Sequence, residues 1–185
     1  IALLENEDLV ELYFDDEENL RIVGNIYRGR IANVLPGMQA AFIDIGLDRN
    51  AFLYLGDIDT QKSVFEFSHS NKNSGQSFKR TVAESIRPGQ EITVQVLKES
   101  IGTKGARVTT HLTLPGRYLV LMPNVDYIGI SRRIDDNEER DRLKGIAEEI
   151  KPDDMGLIVR TAALNRQKEE FIHDLDLLYR LWSHI

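Results

Sequence analysis

The sequence predicts a mixed, β-rich fold: a small five-stranded barrel, preceded by a hairpin and followed by a compact α+β lobe. Three observations carry this. Short runs of alternating apolar and polar residues fill the chain from Asn25 to His111, as half-buried strands do. Turns bearing glycine and proline separate them. Past residue 111 the pattern changes, and strand-like runs alternate with stretches whose apolar residues recur at helical spacing.

Residues 1–14 read as two strands, Ile1 to Leu4 and Leu9 to Phe14, around the turn Glu5-Asn6-Glu7-Asp8, with the acidic run Asp15 to Glu18 as a solvated end. An isolated hairpin is marginal, so it requires a further surface to pack on. Barrel strands are expected at 26–35, 39–45, 51–55, 91–98 and 106–111, divided by Pro36-Gly37, by the segment Gly46 to Asn50 and by Arg87-Pro88-Gly89. The polar stretch 56–86 reads as a long mobile loop with one short helix, because loops of that length are unusual unless functional or disordered. In the lobe, 118–122 and 156–160 read as strands, and 138–150 as a helix with Leu143, Ile146 and Ile150 on one face. A last helix starts near Gln167, where Phe171, Leu175, Leu178 and Trp182 form an apolar stripe directed at a core. The expected division is 1–24 (hairpin), 25–111 (barrel, with the loop 56–86) and 112–185 (lobe and last helix).

Composition narrows the function. The chain has 185 residues, 42% of them hydrophobic, enough for one sizeable core or two small ones. No apolar run of about 18 residues is present to span a bilayer, and no basic-then-apolar leader opens the sequence. Cysteine is absent, which removes disulfides and thiolate zinc sites and fits a cytoplasmic protein. His69, His111, His173 and His184 are scattered with no metal-binding spacing, so each reads as a surface or packing histidine. The net charge of −7 argues at first against a nucleic-acid partner. Its distribution weakens that argument: residues 1–24 carry −7, residues 25–110 carry +3 and residues 111–185 carry −3. The positions of a few cations therefore matter more than their sum.

Strand alternation supplies candidate ligand contacts. Ala41, Ile43 and Ile45 share one face and must point to the core, which turns Phe42 outward beside Asp44. Ala51, Leu53 and Leu55 likewise face inward, leaving Phe52 and Tyr54 outside on the neighbouring strand. Exposed aromatics on adjacent barrel strands form a stacking platform for unpaired bases; the alternative is that the long loop or the lobe covers them as ordinary core. Lys104 sits in the turn Gly102-Thr103-Lys104-Gly105, where an ammonium reaches a phosphate or is merely solvated. Arg160-Thr161 ends an apolar strand, where a guanidinium beside a hydroxyl can grip a terminal phosphate. The alternative is an ion pair from Arg160 to Asp153 or Asp154. Successive strand residues face opposite ways, so sharing one ligand requires the strand to end or bend at this pair. No catalytic carboxylate set is visible, since Asp44 and Asp48 lie on a strand and in its turn, and Asp135-Asp136 reads as a helix N-terminus.

Longer motifs carry a resemblance. Asn25-Ile26-Tyr27-Arg28-Gly29-Arg30-Ile31, Ala40-Ala41-Phe42-Ile43-Asp44-Ile45-Gly46 and Ala51-Phe52-Leu53 resemble the S1-type OB domain of the ribonuclease E/G family of bacterial endoribonucleases. The likeness continues through Lys104-Gly105-Ala106, the segment Leu114 to Pro123, the segment Gly129 to Ile134 and the segment Gly156 to Ala162. It implies an S1-type OB barrel with RNA contacts at Phe42, Phe52 and Lys104. It also implies an α+β sensor in which Arg160 and Thr161 recognise the 5′-monophosphate of RNA, with Gly116 and Val120 as the adjoining wall. Tyr54, Arg132 and Arg133 are possible additions, although Arg132 or Arg133 could equally pair with the acids of 135–141. The first hairpin would be part of a ribonuclease-H-like subdomain. By the same resemblance the nuclease domain, with aspartate-held Mg2+, and a structural Zn2+ site belong to an intact, homo-oligomeric protein beyond this segment, which needs no cofactor itself and is expected to be catalytically inactive. The expected function is single-stranded RNA recognition and 5′-monophosphate sensing for an endoribonuclease of RNA processing and mRNA decay. The rivals are a stand-alone RNA-binding regulator and an OB barrel for oligosaccharide or protein ligands.

Overall fold

A computed structural model describes residues 2–5, 8–12, 21–58, 86–123 and 125–185. Strands β1 (Ala2–Glu5) and β2 (Asp8–Leu12) pair antiparallel as the expected hairpin. Its leucines 3, 4, 9 and 12 are exposed.

The alternating region closes into a barrel. Its strands are β3 (Ile26–Leu35), β4 (Ala40–Asp44), β5 (Ala51–Tyr54), β6 (Glu91–Lys98) and β7 (Arg107–Thr109). They run in the order β3-β4-β5-β7-β6, and β6 pairs back onto β3. All pairs are antiparallel except β5 with β7. This is a five-stranded OB barrel. Ile31, Ile43, Leu53, Val94, Val96 and Val108 fill it, each fully buried, at roughly 1.5–3 kcal/mol per side chain.

Local chemistry trims the expected strands. Gln39 is in the left-handed region (φ 49) after the 3-10 turn Pro36–Met38, so β4 starts one residue late. Leu55–Asp57 winds into a second 3-10 turn and ends β5 at Tyr54. Most of the expected long loop lies outside the described residues; at its two described ends Ile58 and Ile86 are buried in the barrel core.

The second lobe has a four-stranded sheet in the order β10-β11-β9-β8, from β8 (Leu114–Pro115), β9 (Leu119–Pro123), β10 (Ile128–Ile130) and β11 (Met155–Val159). Strands β8 and β10, two and three residues long, are too short to leave a periodicity. Helix α1 (Asn137–Ile150) is capped by Asp136, whose carboxylate accepts from the Glu138 N–H at 3.0 Å. Helix α2 (Lys168–Ser183) starts with a capping box between Gln167 and Glu170. Phe171, Leu175 and Leu178 of its stripe are buried against Leu119, Leu121, Leu143, Leu157 and Val159, with Trp182 partly so.

The two cores meet across β6. Val94 and Val96 point into the barrel, so Gln95 points out of it, yet it is only 4% exposed. Its amide donates to the carbonyls of Gly24 (3.0 Å) and Thr113 (2.9 Å), and its oxygen accepts from the Thr113 N–H (2.8 Å) and hydroxyl (3.2 Å). Ile26, its register partner on β3, packs against the second core.

Candidate nucleic-acid interface

Phe42 and Phe52 stand opposite each other on β4 and β5. Both are partly buried between fully buried neighbours. Their rings meet edge to face, centroids 6.2 Å apart at 74°. The register continues the row outward: Asn33 on β3 pairs with Phe42, Phe52 pairs with Arg107 on β7, and Arg107 pairs with Lys98 on β6. An edge-to-face aromatic pair is thus flanked by an exposed amide on one side and two exposed cations on the other. Arg107 was not singled out from the sequence. Its signal is an arginine alternating with the buried Val108, and it leans on Asp57 at 3.5 Å. Tyr54 is 38% exposed, and its hydroxyl donates to Gln39 at 3.1 Å.

Lys104 is exposed on a tight turn closed by the backbone pair Ile101 and Lys104. Gly105 lies directly on the Asn50 carbonyl, where a Cβ would collide, and Arg49 donates to the Gly102 carbonyl. The Lys104 turn is therefore fastened to the chain just ahead of β5. Asp44 accepts from the Gly46 N–H at 2.9 Å and serves its turn.

On the second lobe Arg160 is joined to Gly116, Val120 lies on the neighbouring strand, and Thr161 opens the turn that follows Arg160. Strand β11 ends at Val159, and Thr161–Ala163 turns into a 3-10 helix, so the backbone breaks at the Arg160–Thr161 pair. Val120 lies in register with Ile158 two residues before Arg160. The Arg160 N–H donates to the Tyr118 carbonyl at 2.8 Å, and its guanidinium donates to the Gly116 carbonyl. Asp153 and Asp154 lie at the other end of β11, which excludes the alternative ion pair with Arg160. Arg132 and Arg133 are exposed in the turn after β10. Neither forms an ion pair with the acids of 135–141 among the described residues; Arg140 instead holds that turn through the carbonyls of Ser131 and Ile134, each at 3.0 Å.

Around this group lie residues that sequence reasoning missed. Tyr118 is buried on Phe171, and the guanidiniums of Arg117 and Arg166 lie 5.2 and 5.8 Å from its ring centroid. Glu139 braces the turn after Thr161 by accepting from Arg142 (2.6 and 2.7 Å) and from the Asn165 N–H (2.9 Å). The Arg142 hydrogen bond, then the Asn165 N–H, hold its carboxyl down to about 2. Asp174 on α2 is 7% exposed and accepts three backbone N–H groups from the 117–119 segment. Its signal was an acid set inside the apolar stripe of α2.

The Mg2+ and Zn2+ that the resemblance implies are expected outside this segment, and no site for either is formed among the described residues. The sequence has no cysteine, and the described residues contain no group of three or more histidines or carboxylates able to hold a metal. No helix among them is long and apolar enough to cross a membrane.

Fold and site together define a class, an OB-barrel protein with an appended α+β lobe, and OB barrels take oligonucleotides or oligosaccharides. Comparison with known proteins makes it specific. Residues 113–185 match the Ribonuclease E/G family. Over its whole length the chain is 45% identical to ribonuclease G of Haemophilus influenzae and 43% identical to ribonuclease G of Escherichia coli. It is 39% identical to ribonuclease E of a Nostoc species. The chain belongs to the ribonuclease E/G family. It spans 37% of the length of those two ribonuclease G relatives and 26% of the Nostoc protein.

Proposed function

We propose that this chain recognises single-stranded RNA and senses its 5′-monophosphate for an endoribonuclease of RNA processing and decay. Bases stack on Phe42 and Phe52, while Lys104 takes a backbone phosphate. The terminal phosphate is held by Arg160 and Thr161 against Gly116 and Val120. The observation that carries the reading is the break of β11 at Arg160, with its guanidinium drawn to the Gly116 carbonyl. A guanidinium fixed by one carbonyl keeps further N–H groups for an anion. A 5′-triphosphate is bulkier and more highly charged, and a close-fitting pocket rejects it. Holding both the end and the following bases raises the effective concentration of RNA at a cleavage site elsewhere in the protein.

The test is a titration with one short oligonucleotide carrying a 5′-monophosphate, 5′-hydroxyl or 5′-triphosphate. The monophosphate form binds tightest, Arg160→Ala abolishes that preference, and Arg160→Lys restores part of it, since a point charge lacks the planar fork. Equal affinity for the monophosphate and hydroxyl forms in the unaltered chain sinks the sensor reading.

A further inference from the structure

The buried carboxylate on α2 has a role that the phosphate contacts do not explain. Asp174 Oδ1 accepts from the Arg117 N–H at 3.0 Å, and Oδ2 accepts from the N–H groups of Tyr118 (2.8 Å) and Leu119 (2.9 Å). Successive backbone N–H groups turned to one side make a concave anion site. Here a side chain of the protein fills it. The same segment is closed by the Gly116 N–H donating to the Leu119 carbonyl at 2.8 Å.

The other face of that turn points at the candidate sensor. With the N–H groups of 117–119 committed to Asp174, the carbonyls of Gly116 and Tyr118 are the groups that receive Arg160, one through its guanidinium and the other through its backbone N–H. Gly116 completes the fit. A Cβ there would lie 2.6 and 2.7 Å from the two Asp174 oxygens, so the carboxylate and any larger residue at 116 exclude each other.

We infer that Asp174 is the positioning residue of the 5′-phosphate site: by occupying the 117–119 amides it sets the turn that aims Arg160. The inference rests on the sensor reading above. It places α2, which supplies none of the expected phosphate contacts, in control of phosphate discrimination. Phosphate recognition then falls to side chains, because the amide nest is already taken.

The experiment compares Asp174→Asn with Asp176→Asn, which makes the same charge change at an exposed position on the same helix. The readout is the ratio of affinities for 5′-monophosphate and 5′-hydroxyl forms of one oligonucleotide, at a temperature where each variant is folded by circular dichroism. The asparagine amide must present a donor where an oxygen accepted, so at least one of the N–H bonds is lost. The expected result is at least a fivefold fall in the ratio for Asp174→Asn and none for Asp176→Asn. Gly116→Ala should lower the ratio similarly, with little further loss in the double variant, because alanine already displaces the carboxylate. If the unaltered chain and Arg160→Ala differ as the sensor reading requires while Asp174→Asn keeps the full ratio, the inference alone is overturned. A ratio of one in the unaltered chain overturns the sensor reading and the inference with it.

Discussion

Replacing Gln95 by methionine tests whether the two cores fold as one unit. Methionine keeps the length and apolar stem but removes every bond to Gly24 and Thr113. Gly24 is exposed, so water can serve its carbonyl, and the Thr113 hydroxyl can rotate to another partner. The Thr113 N–H and C=O are left at the seam without their partner. At about 1–3 kcal/mol for each unsatisfied group, partly relieved because Thr113 is not fully enclosed, the expected destabilisation is about 2–4 kcal/mol. Urea unfolding should be followed by far-ultraviolet circular dichroism and by fluorescence of Trp182, the sole tryptophan, which packs on the second core. The two probes should coincide in the unaltered chain and separate in Gln95→Met, as the barrel and lobe lose their bracket. A loss below about 0.5 kcal/mol with coincident probes would refute the reasoning.

Phe42→Ala and Phe52→Ala should each weaken single-stranded RNA binding by about 1–3 kcal/mol, measured by fluorescence anisotropy, and the pair should be non-additive because the rings touch; full affinity in both variants would remove the stacking platform. Arg107→Ala should lower affinity similarly for unrelated RNA sequences and reduce the slope of log affinity against log salt by about 1, which an arginine serving only Asp57 would not do. Glu139→Gln should lower the melting temperature at neutral pH. Because the Glu139 carboxyl is held near 2 against an ordinary 4.5, its contribution is complete above about pH 4.5 and fades as pH falls through about 2. Melts of the two proteins should therefore converge in strong acid, and a difference that persists unchanged at pH 2 would contradict this.

Much of the barrel was legible because a period of two is written residue by residue: Ala41 and Ile43 inward, Phe42 outward, with the same rule at Leu53 and Phe52. The ends of β4 and β5 were not, because the left-handed Gln39 and the 3-10 turn at Leu55 are settled by the barrel's corners and not by local pattern. The four residues of the candidate phosphate site were individually nameable. What joins Arg160 to Gly116 was hidden, since it depends on a carboxylate more than fifty residues from the turn it holds. Asp174 did leave a trace, an acid three residues after Phe171 and next to Leu175 on a stripe otherwise apolar, where a buried charge requires partners. Gln95 left one too, a polar residue between two core valines.

The barrel is closed on one side by its weakest join. Strands β5 and β7 run parallel and share only the register pairs Phe52 with Arg107 and Leu53 with Val108, whereas β3 and β6 share five. Thermal breathing should begin at this short join, so the Phe52 amide, bonded to the Ala106 carbonyl at 2.7 Å, should exchange its hydrogen for deuterium sooner than amides along β3. The proposed RNA track crosses that same join, from Phe52 to Arg107. A bound strand would act as a clasp, slowing exchange at Phe52 while leaving the β3–β6 side as it was, and the barrel would be at its most rigid only when it carries its ligand.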